Sequence, residues 1–295
     1  MRFIANYRNQ WRSVRVPYNT FSGTIENKFY YNRDRYDRYF TGALLFNYDR
    51  QGSLKLTSLQ IGIPIGITLP LASNQFLSFS ATPAFGQRSF DSHNWSFDAQ
   101  FVDCLYDPSN PTREDGSLFT TSLQYFVLAA GLNYHWQAKA KRSRFDIGGG
   151  VHHLNRPDHN FWTNNPDDVR LASRIALYGM GIAQVTSNFD LALQAQYQLQ
   201  GKYREVLYGP GVRFLLNPKP YEELALQVGV LFRQRYNDAI IWHAEVYWKT
   251  WTLGFSYDVN VSDFDQATNN RGGTEVSLSY RLYRFKPTNY CPIDY

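Results

Sequence analysis

Between Ile240 and Val261 two period-two segments meet at a two-residue turn, and their pattern admits one pairing register. Ile240, Trp242, Ala244, Val246 and Trp248 alternate with Ile241, His243, Glu245 and Tyr247; beyond Lys249 and Thr250, Trp251, Leu253, Phe255, Tyr257, Val259 and Val261 alternate with Thr252, Gly254, Ser256, Asp258 and Asn260. Closing the turn over Lys249-Thr250 sets Trp248 opposite Trp251, Val246 opposite Leu253, Ala244 opposite Phe255 and Trp242 opposite Tyr257 on one face. His243 opposite Ser256 and Glu245 opposite Gly254 occupy the other. An apolar face that ends in tryptophans, backed by a polar and ionisable one, is the pattern of a strand with lipid on one side and a wet lumen on the other. A soluble amphipathic sheet reads the same way for one hairpin, but not along a whole chain.

Here the pattern recurs. Segments near 2–10, 18–28, 37–49, 55–69, 75–87, 123–137, 142–155, 171–185, 188–199, 203–216, 222–235, 237–248, 251–261 and 274–285 read as about fourteen strands. In the clearest of them Leu59, Ile61, Ile63, Ile65 and Ile67 alternate with Gln60, Gly62, Pro64, Gly66 and Thr68, and Leu191 and Leu193 with Ala192, Gln194, Gln196 and Gln198. The segment 171–185 is the weakest, with both faces mixed. The fold class predicted is all-β: one transmembrane antiparallel β-barrel domain spanning 1–295, with short periplasmic turns and longer extracellular loops.

Composition narrows the class further. No apolar run approaches the roughly 18 residues of a membrane-spanning helix, so a membrane location requires a closed sheet that satisfies its own backbone groups. Aromatics make up 17% of the chain, 22 of them Tyr, which suits a membrane interface. The net charge of +5 is modest and its Lys and Arg are dispersed without an aromatic-basic motif, so outer-membrane lipid headgroups rather than nucleic acid are the expected counterpart. Met1 is followed at once by strand pattern; a bacterial outer-membrane protein is exported, so a signal peptide and N-terminal segment are expected upstream.

Parity supplies an independent test. If the first strand runs outward, the connections 70–74, 138–141, 186–187, 217–221 and 249–250 fall on the periplasmic side and are short, while 11–17, 88–122, 156–170 and 262–273 fall outside. Only 29–36 is a longer inner turn. Pro64, Pro83 and Pro210 lie within strand patterns, where a missing N–H interrupts the ladder and marks a bulge or bend. The inward set includes Gly62, Gly66, Gly148, Gly150, Gly209, Gly211, Gly229 and Gly254; these either leave room for something bulky in the lumen or serve barrel bends.

No enzyme is expected. Cys104 in the longest outer loop and Cys291 in the tail belong to opposite ends of the barrel, which argues against a disulfide, and neither forms a CxxC pair. His152 and His153 point to opposite strand faces, so at most one can join His159, and no metal or other cofactor is expected. GxSxG, HExxH and GxxxxGK[ST] are absent. His243, Ser256 and Glu245 invite a hydrolase reading, but all three face the lumen, away from the lipid surface where a lipid hydrolase works.

Two segments carry a family resemblance. Ala5-Asn-Tyr-Arg-Asn-Gln-Trp11, followed by Pro17-Tyr18-Asn19-Thr20, resembles the Tyr-Arg-x-Gln-Trp opening of the PorP/SprF family of Bacteroidota, carried by Tyr7, Arg8, Gln10 and Trp11. Gly150 to Phe161 is similar to that family's His-x-Asn-x-Pro strand end, on His153, Asn155 and Pro157, with Asn160 where a serine is expected. The tail Asn289-Tyr290-Cys291-Pro292 resembles its Cys-Pro ending. The resemblance implies an outer-membrane component of the type IX secretion and gliding machinery. It implies as partners the C-terminal sorting domain of large surface adhesins, held at the cell surface, with an OmpA-like peptidoglycan-binding lipoprotein and the secretion motor as neighbours. The same motifs also read as folding devices, with Arg8 in a lumen charge pair.

A binding and anchoring barrel works through surface, so the partner-binding candidates are loop aromatics and charges: Phe90, Trp95, Phe97, Phe101 and Tyr106 in 88–122, and Arg156, His159, Phe161 and Trp162 in 156–170. The same loops can instead fold inward as a cap. The competing readings are an outer-membrane channel or uptake porin for small solutes or fatty acids, which needs a continuous polar path, and a soluble sandwich or propeller, which would bury the Trp248/Trp251 face.

Overall fold

The computed structural model describes residues 1–10, 18–31, 38–52, 55–91, 98–102, 105–111, 120–161, 169–217, 222–234, 239–261 and 271–282. Fourteen antiparallel strands among them close on themselves: β1 (Arg2–Gln10), β2 (Tyr18–Tyr30), β3 (Tyr39–Gln51), β4 (Leu56–Gly62 continued by Ile65–Ala72), β5 (Gln75–Ser89), β6 (Ser122–Gln137), β7 (Arg144–His152), β8 (Arg174–Gln184), β9 (Phe189–Gln200), β10 (Tyr203–Asn217), β11 (Leu224–Gln234), β12 (Ala239–Trp248), β13 (Trp251–Asn260) and β14 (Arg271–Arg281). Each pairs with its neighbours in sequence, and β14 returns to β1 from Arg2 against Arg281 to Gln10 against Gly273. Closure leaves no free sheet edge, which is the condition for a β-structure to sit in hydrocarbon.

The β12–β13 hairpin has the register its alternation dictates: Trp248 faces Trp251, Val246 faces Leu253, Ala244 faces Phe255 and Trp242 faces Tyr257, with His243 against Ser256 and Glu245 against Gly254. Its apolar face points out of the barrel, leaving Trp242 60%, Leu253 50% and Phe255 49% exposed. Asp190, Arg213, Gln227 and Asp258 are buried instead. Apolar outside and polar inside inverts the order of a water-soluble protein and is stable only where lipid covers the exterior. Rings gather where the short turns are: Trp136 stacks on Phe145 at 5.4 Å, Phe189 meets Phe214 at 5.4 Å, and Tyr280 lies 4.4 Å from Trp251 and 6.2 Å from Phe3. These pairs form an interfacial aromatic girdle.

The connections sort by length as parity predicts. The residues joining β5 to β6 (90–121), β7 to β8 (153–173) and β13 to β14 (261–270) share one end, while 73–74, 185–188 and 249–250 lie at the other. We call these the long-loop end and the short-turn end. At the short-turn end the guanidinium of Arg142 donates to both oxygens of the fully buried Asp190 at 2.8 and 3.2 Å, tying the β6–β7 turn to β9.

The prolines do less to the sheet than expected. Pro64 divides β4, yet β3 pairs Leu45 with Gly62 before it and Gly42 with Ile65 after it, so the register is unbroken. Its carbonyl still accepts from the Ala43 N–H at 2.9 Å, and that of Pro83 from Ile63 at 2.9 Å. Pro210 interrupts the β10–β11 ladder between Tyr208/Phe232 and Gly211/Gly229, again without a shift. Only the N–H of each rung is lost. The register shifts that do occur lie elsewhere, at Pro70/Ala72, Leu215/Asn217 and Tyr257/Val259. Two luminal glycines make room for a ring on the facing strand rather than for a foreign segment: a Cβ on Gly148 would lie 2.7 Å from the ring of Tyr178, and one on Gly229 would strike His243.

Candidate functional site

Toward the long-loop end the lumen widens into a polar vestibule of about 600 Å³, walled by β1 and by β9 to β14. Strand alternation aims one row of amides into it, Gln194, Gln196 and Gln198 of β9, while the alternate residues Leu193, Ala195 and Tyr197 belong to the outer face. Arg8 and Gln10 enter from β1, and Glu205, Arg233, Asp258 and Glu275 complete the charged rim.

The charges of the vestibule pair across intervening strands. Asp258 on β13 accepts Arg233 of β11 at 2.9 Å and Arg8 of β1 at 3.6 Å. Arg233 also lies 3.6 Å from Glu205, Arg8 lies 3.9 Å from Glu275, and the Asn6 amide donates to Glu275 at 2.6 Å. Arg233 and Asp258 bridge diagonally across β12, where Ala239 pairs with Arg233 and Ile241 with Asp258. Deeper in, a ring nitrogen of His243 lies 3.2 Å from the Gln194 amide, and Glu245 accepts the Tyr247 hydroxyl. Ser256 lines the same cavity, but no hydrogen bond joins it to His243 among the described residues.

The two long loops meet above β5 and β6. The rings of Phe90 and Phe161 are 5.1 Å apart, the Thr120 N–H donates to the Phe161 carbonyl at 2.8 Å, and His159 stands edge-on to Tyr125 at 5.3 Å. Arg88 of β5 brings its guanidinium to 3.4 Å from Nε2 of His159. Burial and the neighbouring charges of Arg88 and His153 hold the His159 pKa below its ordinary value, against the opposing pull of Asp158. Burial and Arg174 lower that of His153 too. This part of the loop folds inward. Phe101 and Tyr106 do otherwise: the pairs Phe101–Val102 and Leu105–Tyr106 form a miniature antiparallel ladder whose two rings lie 5.3 Å apart, and all four residues are exposed. The Gln100 carbonyl accepts from the Asp107 N–H at 3.0 Å, and Asp107 accepts the Ser109 hydroxyl and N–H, which lower its pKa.

The residues of the His-x-Asn-x-Pro segment build the strand end. His153 has a φ of 56° and its carbonyl accepts from the Arg156 N–H at 3.0 Å, closing a turn. The Asn155 amide donates to the Phe126 carbonyl at 2.7 Å, and its oxygen accepts the Leu128 N–H at 3.0 Å. Pro157 is buried and its carbonyl accepts from Leu171 at 3.0 Å, whereas Arg156 is exposed. In β1, Tyr7 faces outward and its hydroxyl donates to Asn19 at 3.0 Å, while Arg8 and Gln10 face the vestibule. Trp11, Trp95, Phe97, Cys104, Trp162, Pro17 and the tail with Cys291 lie outside the described residues. The structure therefore brings together Phe90, His159 and Phe161, sets Phe101 with Tyr106 separately, and adds a vestibule that no sequence motif announced.

The model of a family described as type IX secretion system membrane protein PorP/SprF matches residues 1–280. No curated protein matches the chain by sequence. Among solved structures, a deltaS2 mutant of the TodX monoaromatic hydrocarbon channel is similar with a TM-score of 0.50 at 9% identity, over 95% of this chain and 88% of that one. The CymD monoaromatic hydrocarbon channel gives 0.47 at 10% identity over 96% and 88%. BamA from Haemophilus ducreyi lacking POTRA domains 1–3 gives 0.47 at 8% identity over 94% and 69%. At such identities the likeness is one of fold alone.

Proposed function

This chain belongs to the PorP/SprF family of type IX secretion system membrane proteins and is a β-barrel of the outer membrane, and from that premise we propose that it captures the C-terminal sorting domain of large secreted adhesins and anchors them at the cell surface. The observation that carries this reading is the exposed ladder of Phe101, Val102, Leu105 and Tyr106, held out from the barrel at the long-loop end. Two rings and two aliphatic side chains, between 46% and 74% exposed, form a compact apolar surface. Aromatic anchors of that kind supply most of the energy in protein interfaces. Arg156, in the other long loop of that end, is also exposed. The reading gives the chain no reaction to catalyse. An OmpA-like peptidoglycan-binding lipoprotein and the secretion motor are its neighbours through the family.

Deleting 92–117 tests this in cells. The barrel should assemble, as seen by its outer-membrane abundance, and the adhesin should be lost from the surface to the medium. Wild-type retention by the deletion variant would make the long loop a lid and move the binding face elsewhere. A channel for small solutes draws support from the polar vestibule, and it predicts steady conductance of the purified barrel in planar bilayers.

A further inference from the structure

We propose that the vestibule is a second binding site, one that takes an extended, basic segment of polypeptide. The inference deepens the partner-binding reading above and rests on it for the source of the segment. Three features of the wall carry it.

The first is the amide row. Gln194, Gln196 and Gln198 follow one another at every second residue of β9, and by the rise of a strand their side chains repeat at roughly 6.7 Å, the repeat of same-facing groups in any extended peptide. Gln194 is engaged with His243 at 3.2 Å, but Gln196 and Gln198 have no hydrogen-bond partner among the described residues, and neither has Gln10 opposite. Amides that both donate and accept can serve a backbone N–H and a C=O in turn, whatever the sequence that passes.

The second feature is an apolar step inside this polar wall. Leu207, Leu231 and Ile241 all face the cavity, with Leu231 paired to Ile241 and Leu207 next to Arg233. A water-filled passage for small hydrophilic solutes gains nothing from such a patch, whereas a peptide brings apolar side chains on alternate positions to cover it.

The third is charge. The chain carries +5 overall, yet the vestibule holds two guanidiniums, Arg8 and Arg233, against four carboxylates, Glu205, Glu245, Asp258 and Glu275. Asp258 is satisfied by both arginines, and the surplus on Glu205 and Glu275 is shared with those same arginines at longer range, 3.6 and 3.9 Å. An incoming lysine or arginine would complete this set, and an acidic segment would be repelled.

The test uses the full chain purified in a non-ionic detergent and two fluorescein-labelled peptides, one alternating lysine with valine and one alternating glutamate with valine, followed by anisotropy. The lysine peptide should bind about tenfold or more tightly than the glutamate peptide and weaken as salt is raised. The double substitution Q196A/Q198A, at side chains with no partner to lose, should reduce its affinity about tenfold, and E205Q should narrow the preference between the two peptides. Circular dichroism verifies that each variant is folded. Equal affinities for both peptides, no binding of the lysine peptide, or affinity unchanged in Q196A/Q198A would overturn the proposal, the last by locating the peptide on the lipid face or the detergent. Spermidine displacing the lysine peptide at equal charge concentration would make the site one for soluble cations, and would overturn it as well. Loss of peptide binding in Q196A/Q198A together with normal adhesin retention in cells would leave the vestibule site standing and separate it from the anchoring role. Failure of peptide binding with retention abolished by the 92–117 deletion would do the reverse.

Discussion

The side-chain amide of Asn155 donates to the carbonyl of Phe126 at 2.7 Å, in the place where a further residue of the neighbouring strand would sit. β7 ends at His152, while β6 runs on to Ser122, so the backbone of Phe126 and Leu128 would have no partner on that side. Asn155 supplies both groups, the second by accepting the Leu128 N–H at 3.0 Å, and the Leu154 N–H adds a bond to the Leu128 carbonyl at 2.9 Å. An asparagine can do this because its side chain reproduces the donor and acceptor of a peptide unit.

Asn155→Ala should therefore destabilise by about 1–3 kcal/mol, two hydrogen bonds at their usual net worth. Amide exchange at Leu128 should rise with it. Asn155→Asp keeps the acceptor and loses the donor, so it should protect Leu128 while costing stability. Unchanged exchange at Leu128 in the alanine variant would remove Asn155 from this role.

Lipid-face charge should be costly where luminal charge is not. Phe255→Arg, near the middle of β13 and pointing out of the barrel, should lose roughly 2–4 kcal/mol in a refolding titration into bilayers. Ser256→Arg enters a vestibule with space and surplus carboxylates and should lose much less. Equal losses would mean that the two faces are assigned the wrong way round.

Glycines give a paired test. A Cβ on Gly86 would stand 2.5 Å from the Tyr125 ring, the ring that His159 packs against, so that the ring must shift and Gly86→Ala should cost about 1–3 kcal/mol. At Gly179 a Cβ meets nothing within 4 Å, and Gly179→Ala should be neutral or stabilise by about 0.4–1 kcal/mol through the unfolded chain. Thermal or urea unfolding of the two variants side by side decides it.

The loop around His159 should loosen in acid. The packed loop holds the His159 pKa below the ordinary 6.5, so it stabilises the neutral ring. That contribution is complete above about pH 6.5 and is lost as the pH falls through the lowered value. The groups facing the ring are Arg88, His153 and Asp158, with Tyr125 beneath it. Protection of the Thr120 amide, which donates to Phe161, should fall as the pH is lowered below about 6.5 once intrinsic exchange is removed. His159→Phe should flatten that profile. A flat profile in the wild type would show that the ring does not hold the loop.

Strand order, faces and the β12–β13 register were legible because alternation and a two-residue turn leave one solution: Trp248 can only meet Trp251. The prolines misled for the opposite reason. Pattern alone identifies a lost N–H, but whether the carbonyl of Pro64 still finds Ala43 depends on the neighbouring strand holding its place. The vestibule was out of reach, since Arg8, Arg233 and Asp258 come from three separate strands and meet only through closure and across the intervening β12. The loops carry no period to read. That His159 folds toward Arg88 while Phe101 stays exposed follows from contacts that composition does not encode.

Binding of an adhesin's isolated sorting domain to the purified barrel tests the proposed capture at the long-loop end most directly. Phe101 and Tyr106 touch each other and, among the described residues, no other ring, so Phe101→Ala/Tyr106→Ala should leave the thermal unfolding of the barrel unchanged. It should weaken the sorting-domain affinity by roughly 2–4 kcal/mol, about thirtyfold or more, as truncation of aromatic anchors does. An affinity equal to that of the wild type, on a folded barrel, would contradict the account.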